Sequence, residues 1–278
     1  MSSRPHNSLI ATFDLLGISA LIGVDSSNTL PNLANELRSI FHEVSSTLDK
    51  ILAEYENSSE DLACAMIIGK IRSGIRFHNF SDTIIASLNL DLKYIYQMPH
   101  LDQHEQNVQN GAISIFMKLV SFMAYALFNK GVPARGCVDI GTVFWDKDLV
   151  LGKPYVRALK TAETLEFSGV TITDEAFAFL EKHHDGELAH AVSYSMIDLK
   201  VPTKLTKNGN LQNMHCLNWV NDTKAEDFIG LSFDIKQKLF EKFSALGKTV
   251  SGNVWKKLEN TENTLRAFFR QNEYEHLK

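Results

Sequence analysis

Two short apolar runs, each ended or turned by an aspartate, constrain this chain more than any other feature: Ala11-Thr-Phe-Asp14-Leu-Leu-Gly17 and Phe80-Ser-Asp82-Thr-Ile-Ile85. Runs of this length, rich in β-branched and aromatic residues, read as strands. Taken singly, an acid at a strand end is most often a cap or a turn former. A pair raised from one sheet is also a good ligand set for a hard cation. Mg²⁺ is usually held by one or two protein carboxylates, with substrate phosphates filling its remaining positions. The pair therefore points to phosphate chemistry, and the two aspartates are expected to meet at one edge of a sheet.

The rest of the chain alternates strands and helices. Residues 8–14 form the first strand, and Gly17 turns the chain into a small apolar segment reaching Ile22. Apolar residues at Leu33, Leu37, Ile40, Phe41, Val44, Leu48 and Leu52 recur at helical spacing, which predicts one amphipathic helix from about Leu30 to Tyr55. Runs 74–80 and 83–89 make a hairpin with Asp82 at its tip, and the polar stretch 90–109 reads as a long loop. A second helix is expected from Ala112 to Asn129, as core or dimer surface, stopped by Gly131 and Pro133. There follow a strand at Arg135–Phe144, a turn at Asp146–Asp148, a short strand at Leu149–Leu151 and a helix from Pro154 to about Glu166. A strand at Val170–Thr173 then leads to a helix capped by Asp174 and reaching Leu180. Strands at Ala189–Met196 and Met214–Val220 precede two amphipathic helices, 223–245 and about 250–272. This order predicts an α+β domain over residues 1–221 and a helical extension over 222–278.

Composition narrows the function classes. With 278 residues, 44% of them hydrophobic, the chain has enough apolar material for one large core, and it reads as lacking a run long enough to span a membrane. A formal charge of −5 argues against a general nucleic-acid binder. The segment Met1–Ser8 has one Arg and no apolar h-region, so no secretory signal is expected. Cys64, Cys137 and Cys216 stand far apart with no CxxC pair, which fits reduced thiols in a cytoplasmic protein. There is no GxxxxGK loop, no GxGxxG after a strand and no GxSxG elbow. His100 and His104 share a His-x₃-His spacing without a third ligand nearby, and His183-His184-Asp185 reads as a polar turn.

The motifs in order resemble class III nucleotidyl cyclases. Phe13-Asp-Leu-Leu-Gly-Ile-Ser19 is similar to that family's first metal motif, and Phe80-Ser-Asp82 sits where the family carries its second metal aspartate. Arg135-Gly-Cys-Val-Asp-Ile-Gly141 resembles its Arg-x-Gly-containing strand. Gly152-Lys-Pro-Tyr-Val-Arg-Ala158, the helix to Glu166 and Gly169-Val-Thr-Ile-Thr173 resemble the segments that follow, so the likeness covers about residues 8–221. It is closest to divergent bacterial members that include the pyrimidine cyclases of antiphage signalling. The resemblance implies a ferredoxin-like mixed sheet with helices packed on one side, plus the C-terminal helices. It implies two Mg²⁺ or Mn²⁺ ions held by Asp14, Asp82 and the carbonyl of Leu15. It further implies a nucleoside triphosphate substrate, a head-to-tail homodimer and a cyclic-nucleotide-responsive effector downstream.

The remaining site residues follow from the same alignment and from helix geometry. His78 falls at the family's purine-reading lysine, and Leu149 on or beside its acidic partner, so UTP or CTP is the expected substrate. Counting from Gly152 places Val156 at the family's transition-state asparagine and Lys160 at its arginine. Lys153, Arg157 and Lys160 are spaced i, i+4, i+7 and share one helix face. Arg157 and Lys160 are the candidate catalytic cations, and Lys153, His78 and Gly17 the candidate substrate contacts. The stripe reads equally as a solvated helix face. Two functions are carried forward: a nucleotidyl cyclase, and a pseudo-cyclase that binds nucleotide or a partner without turnover.

Overall fold

Side-chain alternation decides how the first strand sits. In β1 (His6–Leu15), Leu9, Ala11, Phe13 and Leu15 enter the main core, while Ile10 joins a separate cluster on the opposite face. The computed structural model describes residues 4–16, 29–58, 71–80, 82–91, 105–146, 149–183, 196–204, 211–220 and 252–275, with residues 237, 240 and 241. β1 lies between β3 (Thr83–Asn89) and β4 (Ala134–Asp146), antiparallel to both, and β2 (Ile75–Phe80) pairs with β3 on the outside. β4 pairs in parallel with β6 (Gly169–Ile172). β8 (Leu211–Leu217) and β7 (Met196–Pro202) then extend the sheet antiparallel, giving the order β2-β3-β1-β4-β6-β8-β7. β5 (Leu149–Leu151) pairs with the end of β4.

The expected α+β mixed sheet is observed, and its first half has the ferredoxin-like arrangement. Two helices, α1 (Thr29–Ser58) and α2 (Glu105–Asn129), cover one face. Ile40, Val44 and Leu48 of α1 and Ile113, Phe116, Val120 and Leu127 of α2 share a core cluster with Leu9 and Phe13. A third helix, α3 (Lys153–Thr164), adds cover to the other face, where Ala158 and Ala162 pack on Cys137 of β4. The far end of β4 folds over that same face. Val143 and Trp145 cluster with Ile10 and Ile85, and Arg76 of β2 donates to the Trp145 carbonyl at 3.3 Å.

Several boundaries differ from the sequence reading. α2 begins at Glu105, inside the expected loop, because its polar first turns carry no apolar period for the sequence to show. The span Gln109–Asn129 has mean hydropathy 1.7, long and apolar enough to cross a membrane, which corrects the reading that no such run exists. In the fold 83% of that window is buried against the sheet and α1. Thr173, not Asp174, caps α4 (Asp174–Lys182), its side chain accepting from the Ala176 amide. Of the strand expected at 189–196 all but Met196 lies outside the described residues; a strand is described at Met196–Pro202, where Ile197 and Val201 are buried and Asp198 and Lys200 exposed. Of the helix expected over 223–245, only residues 237, 240 and 241 are described, and all three are helical. The last helix, α5 (Gly252–Glu275), buries Leu258, Leu265 and Phe268 in the main core.

Gly152 holds the entry to α3. It sits at φ 157°, and a Cβ there would lie 2.7 Å from the Thr142 carbonyl oxygen. Gly152→Ala is expected to lower stability by about 1–3 kcal/mol, since the backbone contact cannot yield as a flexible side chain would. A thermal midpoint within error of wild type would contradict this.

Candidate functional site

The register of β1 between β3 and β4 brings the two aspartates together. Asp14 is opposite Thr83 on one side and Arg135 on the other, and the Leu15 amide donates to the Asp82 carbonyl at 2.9 Å. Asp14 and Asp82 therefore occupy adjoining positions at one end of neighbouring strands. Leu15 closes β1 beside them, its side chain buried in the core. Gly17 lies outside the described residues, as do Ser81, His100, His104, His184, Asp185 and Cys64.

Asp14 has a second partner that the motif did not announce. The Arg135 guanidinium donates from Nε and Nη2 to Asp14 Oδ2 at 2.6 and 2.5 Å, and from Nη1 to the Glu163 and Leu165 carbonyls. Both side chains are largely buried, at 11% and 15% exposure. Both contacts fall on Oδ2; among the described residues Asp14 Oδ1 has no hydrogen-bond partner and the Asp82 carboxylate has none either. Two carboxylates and a strand-end carbonyl are all oxygen donors, the chemistry of Mg²⁺ or Mn²⁺ and not of zinc. Among the described residues no group of three or more His, Cys, Asp and Glu forms an all-protein metal cage. By donor chemistry alone, oxygen ligands of this kind suit a hard cation that takes its remaining ligands from phosphate and water.

The basic stripe on α3 is split by a second ion pair. Arg157 grips Asp139 of β4 in bidentate fashion, Nε to Oδ2 at 2.7 Å and Nη2 to Oδ1 at 2.8 Å, and reaches Glu175 Oε1 at 2.7 Å. Asp139 is fully buried and also accepts from the Thr173 hydroxyl and the Ile140 amide. The hydrogen bond that Arg157 donates to Asp139, with the charges of Asp139 and Glu175, holds its guanidinium charged even above its ordinary range. Lys153 and Lys160 are exposed on the same helix, and so is Val156. Arg157 and Lys160 line an open groove of about 490 Å³ with Thr161, the start of α4, and Asn213 and His215 of β8. Neither Asp14 nor Asp82 contributes to that groove.

His78 lies on the strand neighbouring the Asp82 hairpin arm, partly buried, its ring 4.0 Å from Phe80 and edge-on to Trp145 at 6.5 Å. Leu149 is exposed and presents no polar group. The two described cysteines are poor nucleophiles: burial pushes the Cys137 thiol up to about 12 and raises Cys216 as well, keeping both protonated. The sequence reading passed over Arg135 and Asp139 as individual side chains. A carboxylate between Val138 and Ile140 in an apolar strand was the available signal, because a buried charge requires a partner.

No protein-family model matches the chain, and no curated protein matches it. Among solved structures it is similar to the catalytic core of a rhodopsin-guanylyl cyclase with converted specificity in complex with ATPαS. The TM-score is 0.38 at 10% identity, over 78% of this chain and 98% of that one. It is also similar to a class III adenylyl cyclase-like ATP-binding protein from Pseudomonas aeruginosa, with a TM-score of 0.28 at 9% identity. That match covers 63% of this chain and 34% of the other, so the chain spans about a third of that structure's length.

Proposed function

We propose that this protein is a nucleotidyl cyclase converting a nucleoside triphosphate, UTP or CTP, to a 3′,5′-cyclic mononucleotide and pyrophosphate. One observation carries the reading: two aspartates from distant segments adjoin on neighbouring strands, Asp14 bonded through Oδ2 alone and Asp82 through neither carboxylate oxygen among the described residues. Asp14, Asp82 and the Leu15 carbonyl would hold the divalent ions. Bound there, such ions supply charge neutralisation at the α-phosphate and favour the ribose 3′-alkoxide. Arg135 fixes the orientation of Asp14 through Oδ2, which leaves Oδ1 for the cation side. Lys160 and Lys153, which have no ion-pair partner among the described residues, would neutralise phosphate as point charges. Lys160 lines a groove to which neither aspartate of its own chain contributes, which favours a head-to-tail homodimer joining one chain's aspartates to its partner's lysines. By the resemblance, the protein acts in the cytoplasm and its product activates a separate effector in antiphage signalling.

The pseudo-cyclase reading draws on one specific observation, the commitment of Arg157 to Asp139 and Glu175, together with a valine at position 156 that donates nothing. Incubation of the purified protein with Mn²⁺ and each of the four nucleoside triphosphates, followed by mass spectrometry, separates the two. Cyclic UMP or CMP is the expected product. Absence of any cyclic mononucleotide would leave only the binding role.

Base choice gives a second expectation. A site built around hydrogen bonds rejects analogues strongly, whereas one lacking them selects by size. With Leu149 apolar and His78 packed between Phe80 and Trp145, the pocket offers no donor and acceptor pair for a purine edge. Competition among ATP, GTP, CTP and UTP should favour a pyrimidine, and a clear purine preference would refute that assignment while sparing the cyclase. Sedimentation at micromolar concentration should show a dimer, and a strict monomer with and without nucleotide would count against the shared site.

A further inference from the structure

The C-terminal helix docks at the aspartate end of the sheet, beside Ser168 at the entry to β6, whose Gly169 pairs with Arg135. Two contacts dock α5 there: Asn260 donates to the Glu166 carbonyl at 2.9 Å, and the Ser168 amide donates to the Thr261 hydroxyl at 2.8 Å. Thr261 in turn donates to the Lys257 carbonyl at 2.7 Å, so Lys257 lies one turn back on the docked face. Its ammonium is partly buried and within electrostatic reach of Arg135, Glu166, Lys204 and Asp14. Lys204 is fixed nearby by its own amide, which donates to the Thr164 carbonyl at the end of α3 at 2.8 Å.

We propose that Lys257 of the C-terminal helix, with Lys204, seats the triphosphate of the nucleotide beside Asp14, so that the extension completes the candidate site. Arg135 is already committed to Asp14 at this end of the sheet. Neither lysine ammonium has a salt-bridge partner among the described residues. A partly desolvated cation without a partner is costly, and burial followed by the Arg135 charge pushes the Lys257 ammonium below its usual range. Divalent ions on Asp14 and Asp82 would cancel the local negative charge and leave the lysines facing a strongly positive site. A polyanion relieves that excess, and ammonium-to-phosphate hydrogen bonds are among the stronger kind.

The proposal rests on the metal-nucleotide reading of Asp14 and Asp82, so its test uses a probe that requires no turnover. Calorimetric titration of the full chain with inorganic tripolyphosphate in Mn²⁺ should show binding that weakens about tenfold in Lys257→Gln, the loss of one charge-assisted contact. Lys257→Arg should restore most of it, and Lys256→Gln, an exposed neighbour on the same helix, should bind as wild type. Unchanged thermal midpoints would show that α5 stays docked. Tripolyphosphate binding in Lys257→Gln equal to wild type overturns the proposal, and so does equal weakening by Lys256→Gln. The two readings fail separately. Cyclic product formed with an unaltered KM in Lys257→Gln removes this proposal and keeps the cyclase. Lys257-dependent tripolyphosphate binding without any cyclic product removes the cyclase and keeps this site.

Discussion

Asp14→Asn is expected to abolish cyclic-nucleotide formation and to lower thermal stability, whereas Asp82→Asn should abolish formation at unchanged stability. The loss of turnover should reach at least roughly 10²-fold in each, the scale for removing one group that stabilises transition-state charge. The stability difference follows from partners. Asp14 shares two short contacts with a largely buried Arg135, and asparagine would leave that guanidinium with two carbonyls and no counter-charge. Removing one partner of a buried pair costs about 3–5 kcal/mol. Residual exposure and the acceptor that asparagine retains reduce this to about 2 kcal/mol, a midpoint shift of roughly 4–8 °C for a chain of this size. Asp82 has no such partner among the described residues, so its amide should fold as the parent does. Activity and calorimetric melting on the same three preparations decide the matter. Retained turnover in Asp14→Asn would show the metal assignment to be wrong. An equal fall in melting temperature for Asp82→Asn would make that residue a structural turn acid.

That Asp14 and Asp82 stand at the ends of paired strands was legible from local patterns. The apolar, β-rich runs Leu9–Phe13 and Thr83–Leu88 marked two strands, and Asp14 near the end of the first and Asp82 just before the second had to lie at strand ends. The amphipathic helices α1 and α3 were legible for the same reason: Ala158, Ala162 and Leu165 are buried as their spacing required. What the sequence hid were contacts created only by register. Arg135 meets Asp14 across 121 residues because β4 pairs with β1, and nothing near either residue announces the other. The basic stripe of α3 was correct as geometry, yet the buried Asp139 beneath it captures Arg157. The docking of α5 is likewise tertiary, since its own periodicity speaks only of its apolar face.

The Asp139 and Arg157 pair yields the largest expected stability effect, with an asymmetry that separates structure from catalysis. Arg157→Ala leaves a fully buried carboxylate without its guanidinium, and the Thr173 hydroxyl and Ile140 amide cannot supply the missing charge. The cost should be about 3–5 kcal/mol, lowering the midpoint on the order of 10 °C. Asp139→Asn leaves Arg157 unpaired instead, but that side chain is 44% exposed and can turn to water or to Glu175, so a smaller loss is expected. Glu175→Ala removes only an exposed contact and should stay within about 0.5 kcal/mol of wild type. Arg157→Lys should recover little, because an ammonium cannot reproduce the two-point grip on both Asp139 oxygens. The double variant Asp139→Asn with Arg157→Ala should be more stable than Arg157→Ala alone, the signature of a coupled pair. A catalytic Arg157 would behave in the opposite way: turnover would vanish in Arg157→Ala while the melting temperature stayed at the wild-type value. That outcome would return Arg157 to the transition-state role its place on the basic stripe suggests.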